Sequence, residues 1–379
     1  MTMDVMGIIF TSRDDVSLRE LTSQRAVAAL PLAGRYRVVD FVLSSLVNSG
    51  VRNVGVIMQR NYRSLMDHLG AGKEWDLHTR NNGLFMLPPF LTRENGGEYA
   101  GLLDALRANF DYLRRSRQKM AILTSSNMVF NMSFEPMIRQ HIDTDADITM
   151  LYAKARAANL DLSSTSKNVH AFLNVEQDGR VTDMEVNPNA ATYDNFYMNV
   201  LLIKRTLLMH LVDGAMAHGA HDLNRDVLQS SIKSGSLKVY GYRFDGYYRR
   251  IETIKNYFRC NMDLLDLSVR KELFKSLPVY TKTRDDVPAI YRSGAAVKNS
   301  LVADGCVIEG TVENCVLFRG VRVGRGAAVK NSIIMQDSEI EEFVELENVI
   351  LDKDVTIRSH GRLIGQAQYP IVIGKNVTL

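Results

Sequence analysis

The chain has 379 residues, of which 46 % are hydrophobic and 23 % charged, the balance of a globular protein long enough for two cores. Its 46 basic and 43 acidic residues leave a net charge of +3, which excludes a broad field for nucleic acid or a membrane surface, so any anion site must be local. No apolar run reaches the roughly 20 residues of a membrane helix, residues 1–10 lack the pattern of a secretion signal, and Cys260, Cys306 and Cys315 have no metal-ligand spacing; a cytoplasmic protein with buried structural thiols is expected.

In chain order, Val38 to Ser49 carries apolar residues three and four apart and predicts a helix, and Gly55 to Met58 predicts a buried strand. Gly101 to Arg115 predicts a second helix with a cationic last turn, followed by strands at Met120 to Thr124 and Ile148 to Tyr152. This alternation predicts an α/β domain with parallel strands and crossover helices over residues 1–276. Leu277 to Pro288, with two prolines and a mixed charge cluster, predicts a linker, bounded at 277–290.

Residues 291–379 contain internal repeats: Val297-Lys298-Asn299-Ser300, Val312-Glu313-Asn314-Cys315, Val329-Lys330-Asn331-Ser332 and Leu346-Glu347-Asn348-Val349. Apolar residues recur every six positions, as in Leu317, Val323 and Val329, then Ile334, Ile340 and Leu346. Six is too long for a helical turn, and the pattern predicts a hexapeptide β-helix with an asparagine at a corner of each unit, bonding backbone groups and tolerating left-handed dihedrals.

The run Gly34-Arg35-Tyr36-Arg37-Val38-Val39-Asp40-Phe41-Val42-Leu43-Ser44-Ser45, preceded by Leu21-Thr22 and Arg25-Ala26, resembles the N-terminal signature of ADP-glucose pyrophosphorylases (glucose-1-phosphate adenylyltransferases). Tyr99-Ala100-Gly101, Asp104-Ala105, His221-Asp222-Leu223, Gly246-Tyr247-Tyr248 and Asn261-Met262-Asp263-Leu264-Leu265 continue the resemblance over nearly the whole chain. It implies a Rossmann-like nucleotidyltransferase domain (GT-A-like) followed by a left-handed parallel β-helix. The implied reaction moves an adenylyl group from ATP to glucose 1-phosphate, giving ADP-glucose and pyrophosphate for glycogen synthesis.

That chemistry needs a phosphate cradle, magnesium on carboxylates and cations for the sugar phosphate, and each part is altered here. The glycine-rich loop is replaced by Gly7 to Arg19, with one glycine and the acids Asp14 and Asp15. The two magnesium aspartates fall on Asn127 and Arg250. A guanidinium about 4 Å from an ion costs roughly 4 kcal/mol per unit charge at an effective dielectric near 20, doubled for a divalent ion. The sugar-phosphate lysine falls on Asn187, a second cation on Val27, and the Gly-Thr-Ala-Asp step reads Gly101-Leu102-Leu103-Asp104.

The resemblance therefore points to the GlgD-type, non-catalytic subunits, with no cofactor of its own, magnesium being held only by a GlgC-type catalytic partner in a heterotetramer. Gly101, Asp104, Asp222 and Glu185 stand as remnants of the substrate pocket, although Asp104 can equally hold a loop. Arg25 and Arg37 match positions near an anionic-effector site for phosphorylated sugars or nucleotides, the alternative being ion pairs with acids such as Asp40. Expected partner surfaces are the helix Val38 to Asn48 and the rows Ile333 to Met335 and Val349 to Leu351, against the alternative that these are core. Two other functions compete: an active enzyme with displaced ligands such as Glu252 or Asp245, and a non-enzymatic scaffold that binds an effector or sugar nucleotide.

Overall fold

The computed structural model describes residues 4–11, 16–79, 82–89, 99–155 and 170–379; Ser12 to Asp15, the middle of the altered phosphate loop, lie outside the described residues. Val5–Phe10 runs through the middle of a nine-stranded sheet, with Val5 and Ile9 in one core and Met6 and Ile8 in the other. Gly7 is an interior residue of this strand, where a Cβ would meet Leu46 Cδ1 at 2.9 Å, so its missing side chain admits a packed helix.

The parallel arrangement holds where Val5–Phe10 pairs Asn53–Ile57 and Met120–Ser125, where Asn53–Ile57 pairs Gly83–Leu87, and where Val239–Arg243 pairs Ile148–Lys154. It fails at Asn195–Lys204, which runs antiparallel to Met120–Ser125, Ile148–Lys154 and Ala171–Val175, and at Val181–Val186, antiparallel to Ala171–Val175. Apolar runs report burial but not direction. The Asp178-Gly179 turn, with Gly179 at φ +87°, closes a hairpin that only antiparallel neighbours can use.

The helix Val38–Asn48 begins where the Asp40 carboxylate accepts the Arg37 backbone N–H at 2.8 Å, satisfying one donor of the first turn. Val39, Val42, Leu43 and Leu46 face the sheet, while Val38 and Phe41 face the second domain, so the helix is buried from Val38 to Val47. The expected helix Gly101 to Arg115 is two, Leu102–Ala108 and Phe110–Arg115. At the break, the Asn109 side-chain amide turns back to the Ala105 carbonyl at 2.8 Å.

The C-terminal part is the expected left-handed β-helix, three sheets of five parallel strands. Val297, Val312, Val329, Leu346 and Leu363 stack along one sheet, and the rows Leu317, Val323, Val329 and Ile334, Ile340, Leu346 are fully buried. Asn299, Asn314, Asn331 and Asn348 take left-handed φ values of 43°, 52°, 45° and 53°. Their side chains bond one another more than backbone: Asn299 Nδ2 donates to Asn314 Oδ1 at 2.7 Å and Asn314 Nδ2 to Asn331 Oδ1 at 3.3 Å, because stacked coils bring identical corners into register. Only Asn348 makes the expected backbone bond of this set, to the Gly365 carbonyl at 3.2 Å.

Every other side chain in Ile333 to Met335 and Val349 to Leu351 points out of the β-helix, and the first domain covers it. Ile333, Met335 and Ile350 pack with Leu18, Leu21, Val27, Leu30 and Phe41. The rows expected to meet a partner, like the helix Val38–Asn48, are thus internal core. Across this apolar seam Arg25 Nη2 reaches both Asp352 carboxylate oxygens, at 2.9 and 2.8 Å, with both residues buried. The segment after Phe274 is tied down too: Asn131 Nδ2 bonds the Leu277 carbonyl at 2.7 Å and Asn48 Nδ2 the Pro278 carbonyl at 2.8 Å.

Breaking a buried pair strands the remaining charge. Asp352→Ala should therefore destabilise the chain by about 3 kcal/mol in urea unfolding, whereas Arg25→Met with Asp352→Leu should recover most of the loss; equal midpoints for both variants would contradict this.

Candidate functional site

Asn127 and Arg250, far apart in sequence, come together. Met128–Val129 pairs antiparallel with Arg249–Arg250, and the Ile251 N–H donates to the Asn127 carbonyl at 2.8 Å. The Asn127 side chain is itself engaged by the Ser125 hydroxyl, which donates to Oδ1 at 2.5 Å. Arg250 Nε lies 2.6 Å from Glu252 Oε1, both residues being buried, and the guanidinium sits 5.9 Å above the Phe196 ring. The second Glu252 oxygen is 3.5 Å from His170 Nε2. Burial, with help from the Arg250 charge and against that of Glu252, lowers the His170 pKa. At the two positions where the resemblance calls for aspartates there is a neutral amide and a guanidinium already facing its own carboxylate. This donor set does not fit a divalent cation, and among the described residues no group of three His, Cys, Asp or Glu side chains could hold one.

Both carboxylates named for displaced ligands face an arginine. Glu252 is taken up by Arg250, and the exposed Asp245 accepts from Arg243 Nε at 2.6 Å.

The other altered positions have structural employment. Asn187, at φ +51°, closes the end of a hairpin: its N–H donates to the His170 carbonyl and its Oδ1 accepts the His170 N–H, both at 2.7 Å. Val27 is buried among the apolar residues of the seam. Of the pocket remnants, Asp104 holds a loop by accepting the Ala100 N–H at 2.9 Å, and Asp222 caps the turn Leu223–Gln229 through the Asn224 and Arg225 N–H groups at 2.8 and 2.9 Å. Glu185 accepts the Thr192 N–H at 2.9 Å. Gly101 lets its backbone lie against the His221 carbonyl, where any side chain would collide.

The two arginines assigned to an anion site part company. Arg25 is spent on Asp352, not on Asp40. Arg37 bonds the Ala29 carbonyl through Nη1 at 2.8 Å and lines a cleft of about 270 Å³ between the domains. Asp40 instead accepts the Arg37 N–H and lies 2.6 Å from His68 Nε2. A turn through Gly34, at φ +80° and packed against the β-helix, delivers Arg35 and Arg37; the segment beyond Phe274 delivers Lys282 and Arg284; the β-helix delivers Arg319, Lys353 and Lys375. Against these cations stand Asp67, Asp337 and Asp354. Burial first, then the charge of Arg25, lowers the Arg37 pKa to about 10. Five of the seven cations were missed from sequence, because residues this far apart share no spacing; Arg35 lay inside the quoted signature without being assigned a role.

If Glu252 neutralises Arg250, removing that carboxylate should be costly. Glu252→Gln should lower stability by about 3 kcal/mol, and Arg250→Leu with Glu252→Leu should restore much of it. Urea unfolding of the three proteins checks this, and a harmless Glu252→Gln would mean that the pair carries little.

Residues 16–265 match the nucleotidyl transferase family model, and residues 287–369 match the GlmU-like C-terminal hexapeptide model. The chain is 36 % identical over 375 residues to the glycogen biosynthesis protein GlgD of Bacillus subtilis, covering 98 % of this chain and 96 % of that protein. The GlgD protein of Geobacillus stearothermophilus is 36 % identical over 86 % of this chain and 83 % of its own length. The glucose-1-phosphate adenylyltransferase of the same organism is 32 % identical over 82 % and 79 %. Among the described residues no helix is long and apolar enough to cross a membrane. With a nucleotidyltransferase domain docked on a hexapeptide β-helix and relatives of this kind along its length, the chain belongs to the ADP-glucose pyrophosphorylase family of glycogen biosynthesis.

Proposed function

We propose that this chain is a catalytically silent, regulatory subunit that acts by assembling with a catalytic homologue, in a heterotetramer, and that it binds no magnesium itself. The observation that carries the proposal is the buried Arg250–Glu252 pair beside Asn127. Adenylyl transfer needs positive charge held against the phosphates by carboxylates. Here the internal cation is already neutralised, and the carboxylates for an external one are missing. A chain that keeps both domains but lacks these charges influences the reaction through contact with a protein that has them.

The surfaces first expected to make that contact are internal, so the contact must fall elsewhere. The first coil of the β-helix is the better candidate: Val287, Ile290, Tyr291 and Val297 are exposed apolar residues, and Ile290–Tyr291, Ala296–Lys298 and Leu301–Val302 each pair on one side only. A solenoid end with an apolar rim and unpaired strand edges is incompletely capped. Stabilising the partner's active conformation would change its turnover through differential contacts with its two states.

The isolated chain should make no detectable ADP-glucose. Asn127→Asp with Arg250→Asp should rescue little, since Val27 and Asn187 remain. Co-expression with a GlgC-type chain from the same cell should give one species on size exclusion with altered kinetics, and Tyr291→Arg should weaken that species. Separate elution with unchanged partner kinetics would leave the effector-binding scaffold as the function, while robust turnover by this chain alone would restore the active-enzyme alternative.

The cleft around Arg37 is the proposed site for an anionic effector, a phosphorylated sugar or nucleotide. Its support is the excess of cations over acids in a chain of nearly balanced charge. Arg37→Ala should reduce the effector response of the co-expressed complex roughly tenfold, the scale of one charge-assisted hydrogen bond. An unchanged titration would move the effector site away from this cleft.

A further inference from the structure

Lys353 is a half-buried lysine of this cleft, set among its arginines. The acids of the cleft are mostly spent: Asp67 lies 3.5 Å from Lys282, Asp354 lies 3.8 Å from Lys375, and Asp352, beneath the cleft, is taken by Arg25 at 2.8 Å. Among the described residues no carboxylate comes within ion-pair distance of the Lys353 ammonium, although the Lys353 backbone N–H donates to Asp352 Oδ1 at 2.7 Å.

The charged groups around Lys353 come from every neighbouring element. The first domain presents Arg37 and the Asp352-bound Arg25, and the turn after Ile371–Ile373 presents Lys375. The preceding coil contributes Asp337, and the helix Arg63–Leu69 contributes Asp67 and His68, the latter bonded to Asp40. Burial, then the guanidinium charges of Arg37 and Arg25, bring the Lys353 pKa from 10.5 down to about 7, with Asp352 opposing and Lys375 adding to the fall. Burial and this repulsion thus favour the neutral amine over the ammonium.

We infer that the cleft takes up its anion together with a proton, which Lys353 captures, so that occupancy depends on pH around neutrality. This rests on the cleft being the anion site proposed above. A negative charge brought in beside Lys353 favours the ammonium over the amine, because it offsets the repulsion from Arg37 and Arg25. The bound state then holds more protons than the free state in the range between the two pKa values. Affinity falls by up to tenfold per pH unit as pH rises through that range. Arg37, whose pKa of about 10 lies above this range, supplies a part of the affinity that does not depend on pH.

The test is calorimetric titration of the full-length chain with sodium sulfate, an anion that does not itself titrate here, at constant ionic strength. Between pH 6.5 and 8.5 the affinity should fall roughly twentyfold for one proton captured by an amine lifted above pH 9. Repeating the titration at pH 8.5 in buffers of different ionisation heat should count close to one proton taken up. Lys353→Arg should flatten the pH profile and bind more tightly than the wild type at pH 8.5. Lys353→Met should bind at pH 6.5 more weakly than the wild type does even at pH 8.5, and with no slope of its own. Sulfate binding with equal affinity at both pH values, or a slope that persists in Lys353→Arg and so belongs to another group, would overturn the proton coupling while leaving the anion site in place. Absence of sulfate binding at either pH would overturn the anion site, and the coupling with it.

Discussion

The seam between the two domains is the constraint on which the rest depends. Apolar side chains that a β-helix points outward, Ile333, Met335 and Ile350, must be covered, and they are covered by Leu18, Leu21 and Phe41 of the first domain. Hydrophobic burial of this kind has no direction and would allow the domains to slide. The Arg25–Asp352 pair removes that freedom, because two hydrogen bonds from one guanidinium nitrogen to a buried carboxylate accept a single register. With the register set, cations from three parts of the chain converge on one cleft.

Arg25 and Arg37 show how the seam divides the labour of two similar residues. Both were candidates for gripping an anion, and the fold gives one of them a carboxylate and the other a carbonyl. A guanidinium with its own buried carboxylate is already neutralised, so Arg25 adds little to the cleft, whose cations are Arg35 and Arg37 together with groups far from them in sequence. The Asp40 carboxylate is turned to the Arg37 backbone N–H and to His68, not to the Arg37 guanidinium.

Around Asn127 and Arg250 the same logic runs in reverse. The scaffold still brings Asn127 against Ile251 and Arg250, as two strands carrying metal ligands would have to meet. Replacing an aspartate by arginine in a buried place would be untenable alone, since an uncompensated charge there costs several kcal/mol. Glu252, two residues on, supplies the compensation, and His170 extends the polar cluster toward the hairpin closed by Asn187. Asn127, Arg250 and Asn187 thus belong to one connected arrangement, while Val27 lies apart in the seam.

The sequence by itself determined the β-helix, its stacked rows and its left-handed asparagine corners, because a six-residue period and corner geometry are local properties that side chains record directly. It also carried the α/β character of the first domain. Strand direction, the break at Asn109 and the burial of the helix Val38–Asn48 on both faces were decided by tertiary structure, since an apolar residue records that it is covered but not by what. The partners of the charges were decided there too. Arg25 meets Asp352 across most of the chain's length, and Lys353 meets Arg37 only after two domains have docked. Electrostatics acts through distance in space, and no spacing along the chain encodes a pair that only folding brings within a few ångströms.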